Sequence, residues 1–101
     1  MQNKVKDFNE IKDYEQMPAH ARLLDIQSEL GELAKEYLKN SNYGAEDFKL
    51  SVEFKEEFGD VLYSILSLAD ELGINSEECL DVVLAKMKKR MEEKGNFGSG
   101  R

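Results

Sequence analysis

Apolar positions recur along this chain with a helical period, and the interruptions fall at turn-forming residues. Val5, Phe8, Ile11 and Tyr14 stand three apart, which predicts a first amphipathic helix over residues 3–15 with a charged outer face. Proline is accepted in the first turn of a helix. Pro18 therefore opens a second, over about 19–39, whose apolar positions are Leu23, Leu24, Ile26, Leu30, Leu33, Ala34, Tyr37 and Leu38. Asn40-Ser41-Asn42-Tyr43-Gly44 is turn chemistry, and Ser51 is placed to cap a third helix whose first turn holds Glu53. Phe54, Phe58, Val61, Leu62, Ile65, Leu66, Leu68, Ala69 and Leu72 cover much of that helix's circumference, which predicts a central position. Gly73 suits its C-terminus, and Asn75 with Glu78 resembles a capping box opening a fourth helix. Cys79, Leu80, Val82, Val83, Met87 and Met91 would line that helix's inner face, and Gly95 ends it.

No alternating strand pattern competes, so the predicted fold class is all-α. The expected organisation is a four-helix, bundle-like domain over 1–95 and a flexible glycine-rich tail over 96–101. A chain of 101 residues supports one domain with one core. Helix three is apolar on more than one side, and four short helices leave apolar surface over. A homodimer or homotetramer is expected on that ground.

Composition narrows the function. With 21 acidic against 14 basic residues the formal charge is −7, which disfavours duplex nucleic acid and anionic lipid as partners. No apolar run approaches the ~20 residues of a membrane span, and no signal-peptide pattern opens the chain. One cysteine, Cys79, forms neither an internal disulfide nor a thiolate zinc site, and a cytoplasmic location is the expectation.

Two segments repeat a pattern. Glu29-Leu30-Gly31-Glu32-Leu33 and Glu57-Phe58-Gly59-Asp60-Val61 each read acid, large apolar, glycine, acid, apolar. Residues three apart share a helix face, so each segment presents two carboxylates side by side, and two facing segments would build a four-carboxylate cage. Such a cage is costly without cations, and its oxygen ligands suit Mg²⁺, with Mn²⁺ as substitute, better than zinc. Glycine inside a helix costs roughly 1 kcal/mol relative to alanine. Finding it twice between paired acids predicts close backbone approach there. A single pair at this spacing is ordinary solvated surface. Two copies set among Ile26, Leu30 and Leu33, and in the most apolar helix, are harder to explain that way. Asp25 and Glu53 extend the two stripes by a turn, with solvent the favoured reading for Asp25.

Glu29-x-x-Glu32, a spacer, then Glu57-x-x-Asp60 resembles the signature of the MazG-like all-α nucleotide pyrophosphohydrolases, over nearly the whole chain. The resemblance implies hydrolysis of a nucleoside triphosphate between its α and β phosphates. It implies that Glu29, Glu32, Glu57 and Asp60 hold Mg²⁺, with one glutamate orienting or deprotonating the attacking water, and that the site belongs to a dimer or tetramer. Lys86 and Arg90, four apart on the last helix, match basic positions that similar proteins use near the triphosphate. A solvated basic face complementing the helix dipole explains those two equally well. His20 reads as surface, Tyr43, Tyr63 and Phe97 as packing more than base stacking, and Asn42 as turn as much as base reader. The rivals are a non-catalytic acidic interaction module and a degenerate family member.

Overall fold

The computed structural model describes residues 1–11 and 17–94. Among these the chain forms helices α1 (Gln2–Ile11), α2 (Ala19–Asn40), α3 (Val52–Glu71) and α4 (Ser76–Lys94), and no strand. Tyr14, Phe97 and the tail lie outside the described residues.

Local chemistry sets the boundaries. Pro18 precedes α2 in an extended conformation, and its carbonyl accepts the first helical hydrogen bond, from the Arg22 N–H at 2.9 Å. Ser51 caps α3, accepting the Phe54 N–H at 3.0 Å, and its hydroxyl also accepts from Asn40 Nδ2 at 2.6 Å. One serine thus ties the end of α2 to the start of α3. Gly73, at φ +69°, ends α3 in a Schellman motif: its N–H bonds the Asp70 carbonyl, and the Ile74 N–H reaches back to Ala69 at 2.8 Å. Asn75 then caps α4 by accepting from the Glu78 N–H.

α3 is central, as its apolar circumference predicted, packing against α2 along its length and against α1 on another side. Phe8 meets Tyr63 edge to face, the Tyr63 hydroxyl donates to Asn9 Oδ1, and Asn9 Nδ2 donates to Ser67 Oγ. Tyr63 is a packing residue. Tyr37, Phe48 and Phe54 close the other end, with Tyr37 and Phe48 stacked at 4.6 Å.

α4 departs from expectation. It buries no residue, and Cys79, Leu80, Val82, Val83 and Met87 are all exposed instead of lining an inner face. The radius of gyration is 17.1 Å, against roughly 13 Å for a compact domain of this length. The helix stands away from the α1–α3 body, held at its root where Gln2 accepts from the Ser76 N–H and hydroxyl and donates to the Ile74 carbonyl. Periodicity identified a face to cover, and the described residues leave it exposed.

A candidate carboxylate site between α2 and α3

α2 and α3 run antiparallel with a polar seam between them. Arg22 stands opposite Glu71, Asp25 opposite Ser64, Glu29 opposite Asp60, and Asn40 opposite Ser51. The sequence reading placed two acid pairs on facing helices, and at the middle of the seam three of those four residues converge. One carboxylate oxygen from each of Glu29, Glu57 and Asp60 lies within 4.8 Å of the other two. Glu29 and Glu57 are half-buried and Asp60 is exposed.

Glu32, expected as the fourth member, is exposed and outside this triangle. Its charge still acts there. Partial burial, followed by repulsion from Asp60, raises the Glu57 carboxyl above the ordinary glutamate range, and Glu32, Glu36 and Glu56 add to the rise. The Glu29 carboxyl is raised in the same way, by burial first and then by Asp60, Asp25, Glu57 and Glu32. Each of these two acids holds its proton more tightly because it is partly withdrawn from water and because the other carboxylates are near.

An all-oxygen donor set with surplus negative charge is the chemistry that hard divalent cations favour, and a cation there would relieve the repulsion recorded in both carboxyls. The triangle therefore fits Mg²⁺ or Mn²⁺. The glycines of the repeated motif behave otherwise than expected. Among the described residues, a Cβ at Gly31 or Gly59 would meet open space, so neither marks a close backbone approach within one chain. Both are exposed, on the outward sides of their helices, where α2–α3 packing makes no demand for small side chains.

Lys86 and Arg90 lie on the exposed face of α4 and are not part of the triangle. His20 and Glu53 are exposed. Asp25, read from sequence as a solvent residue, is only partly so, with a side chain 34% exposed that accepts from Ser64 Oγ at 3.1 Å. Sequence reasoning also missed Arg22, which is 3% exposed. A signal was present: residues 22, 25, 26, 29 and 33 share the inner stripe of α2, and a lone arginine on that stripe calls for buried acceptors.

None of the described helices is long and apolar enough to cross a membrane. No solved structure gives a significant match to the chain. The uncharacterized protein YpjD of Bacillus subtilis (strain 168) is 38% identical over 73% of this chain and 68% of its own length. The MazG nucleotide pyrophosphohydrolase domain matches residues 17–94, which contain the carboxylate triangle, the polar seam and the whole of α4. With that match over most of its length, the chain belongs to the MazG nucleotide pyrophosphohydrolase family.

Proposed function

We propose that this chain is a Mg²⁺-dependent pyrophosphohydrolase of nucleoside triphosphates, cleaving the α–β phosphoanhydride of (d)NTPs to a nucleoside monophosphate and pyrophosphate. House-cleaning of non-canonical nucleotides in the cytoplasm is the role such an activity suits. The observation that carries the reading is the triangle of Glu29, Glu57 and Asp60, three carboxylates drawn together on two helices of a family that acts on nucleotides.

In this reading those three residues hold the cation, and Glu32 completes the set by a side-chain rotation on its exposed turn. The bound ion supplies screening of the triphosphate charge and a lowered pKa for water. The chain supplies the base. Either Glu29 or Glu57 orients the attacking water or takes its proton. Lys86 and Arg90 receive the phosphates, the arginine by its two-pronged fork and the lysine as a point charge. They reach the triphosphate across a homodimer or homotetramer in which the apolar face of α4 is covered by a second copy. The exposure of Leu80, Val82, Val83, Leu84 and Met87 supports that assembly.

The test is pyrophosphate release from a panel of canonical and modified NTPs, with Mg²⁺ and without it, for the wild type and Glu57→Gln. Wild type releases pyrophosphate only with the cation, and the variant is slower by about 100-fold or more. Equal release by both, or none from either, leaves the acidic interaction module as the better reading.

A further inference from the structure

The triangle poses a mechanical question. Three like charges on two helices push those helices apart, and nothing within the triangle opposes them. Apolar packing gives limited help, since among the described residues only Leu66 and Ala69 are buried hydrophobics. The seam is instead fastened at its ends. On the side of the interhelical turn, Asn40 bonds Ser51 at 2.6 Å. On the other side stands a denser group. Arg22 Nη2 donates to Glu71 Oε1 at 3.3 Å, Arg22 Nη1 lies 3.7 Å from Asp25 Oδ2, and that same oxygen accepts from Ser64 Oγ at 3.1 Å. Arg22 is 3% exposed and the Glu71 side chain 9%, so both charges are withdrawn from water.

We propose that Arg22 is a positioning residue for the metal site: its fork grips Glu71 of α3 and Asp25 of α2 together, and so sets the register that holds Glu29 against Asp60 and Glu57. This rests on the reading of the triangle as a cation site. The chemistry fits arginine specifically, because a planar guanidinium addresses two carboxylates on two helices at once, which an ammonium does not. The other Glu71 oxygen is buried without a hydrogen-bond partner among the described residues, so this carboxylate depends on Arg22 for its neutralisation. Arg22 precedes Glu29 by seven residues, two helical turns or about 10 Å along the axis. It acts through the placement of Glu29 and touches no reacting group.

Sign distinguishes positioning from bulk electrostatics. Removing a positive charge near an anionic site makes a cation bind more tightly if only the field changes, and more weakly if the ligand geometry is lost. The experiment is a Mn²⁺ titration of the folded chain by calorimetry, with helix content followed by circular dichroism, for wild type, Arg22→Met, Arg22→Lys and Ser64→Ala. Arg22→Met weakens Mn²⁺ binding about 10–100-fold. Arg22→Lys recovers part of the loss, and Ser64→Ala moves affinity in the same direction by a smaller factor. Folded Arg22→Met that binds Mn²⁺ as tightly as wild type, or more tightly, overturns the proposal. Should that variant not fold, unchanged affinity in Ser64→Ala overturns it. A wild type that binds no Mn²⁺ removes the cation site and this proposal together, whereas a wild type that binds, beside variants that bind equally, removes this proposal alone.

Discussion

The α2–α3 hairpin and α4 are built from equally regular helices, yet they are held in opposite ways. The hairpin is fixed by contacts between its two helices: a serine that caps α3 and holds the last residue of α2, an aromatic cluster at one end, a buried arginine at the other. The hydrogen bonds described for α4 lie at its root, in the turn that starts it and the Gln2 side chain. The hairpin carries polar groups inward and α4 carries apolar groups outward, the reverse of what each helix would do in a self-sufficient monomer. Buried charge in the hairpin and exposed leucine on the last helix are what the proposed cation site and the proposed assembly each require.

The contrast breaks first at α4. Leu80 and Leu84, 56% and 51% exposed, share one face of the helix. In a monomer, changing both to glutamine shifts stability by no more than about 0.5 kcal/mol each. In an assembly that covers the face, each costs about 2–5 kcal/mol and the protein dissociates. Light scattering, with melting temperature followed over a hundredfold range of protein concentration, separates the two outcomes, and a concentration-independent melt unchanged by the substitutions removes the assembly.

Ser51→Ala probes the hairpin. It removes the cap of α3 and strands the Asn40 amide, at a cost of about 1–2 kcal/mol, measurable as a lower midpoint in urea. A loss well below that means the hairpin is held by its aromatic cluster instead.

The smallest effect is that of pH on the metal-free chain. Glu29 and Glu57 hold protons more tightly folded than unfolded. Their contribution therefore favours folding below the ordinary glutamate value of about 4.3 and is withdrawn as pH rises through the higher folded values. With chelator present, Glu57→Gln melts higher than wild type at pH 7, and the gap closes below pH ~4. Mg²⁺ narrows the gap at pH 7 by stabilising wild type more. A variant that is less stable than wild type at every pH shows that the crowding of carboxylates costs the fold nothing.

The helices, and the ends that Pro18, Ser51, Gly73 and Asn75 set, were legible in the sequence because caps, glycines and apolar spacing are local. Ser51, Gly73 and Asn75 do what their identities suggest, and the first turn after Pro18 starts where expected. The carboxylate stripes were legible for the same reason, since spacing by three places residues on one face. Spacing does not say how two helices cross, and crossing brings Glu29, Glu57 and Asp60 together while leaving Glu32 at the edge. The partner of an apolar face is also beyond a periodicity argument. Met87 and Val83 have the pattern of core residues, and the pattern is silent on which chain supplies the rest of the core. Arg22 was missed for a related reason: its acceptor Glu71 lies 49 positions away, at the end of another helix.

The Schellman turn at Gly73 has a kinetic and entropic consequence. Its hydrogen bonds, with those of Gln2, aim α4 before anything packs against it. A helix already aimed forfeits less conformational freedom when a partner arrives than one that must be captured from a floppy ensemble. In the proposed assembly the strength and speed of association are therefore set in part by the bend at Gly73, beside the leucines of the face it presents.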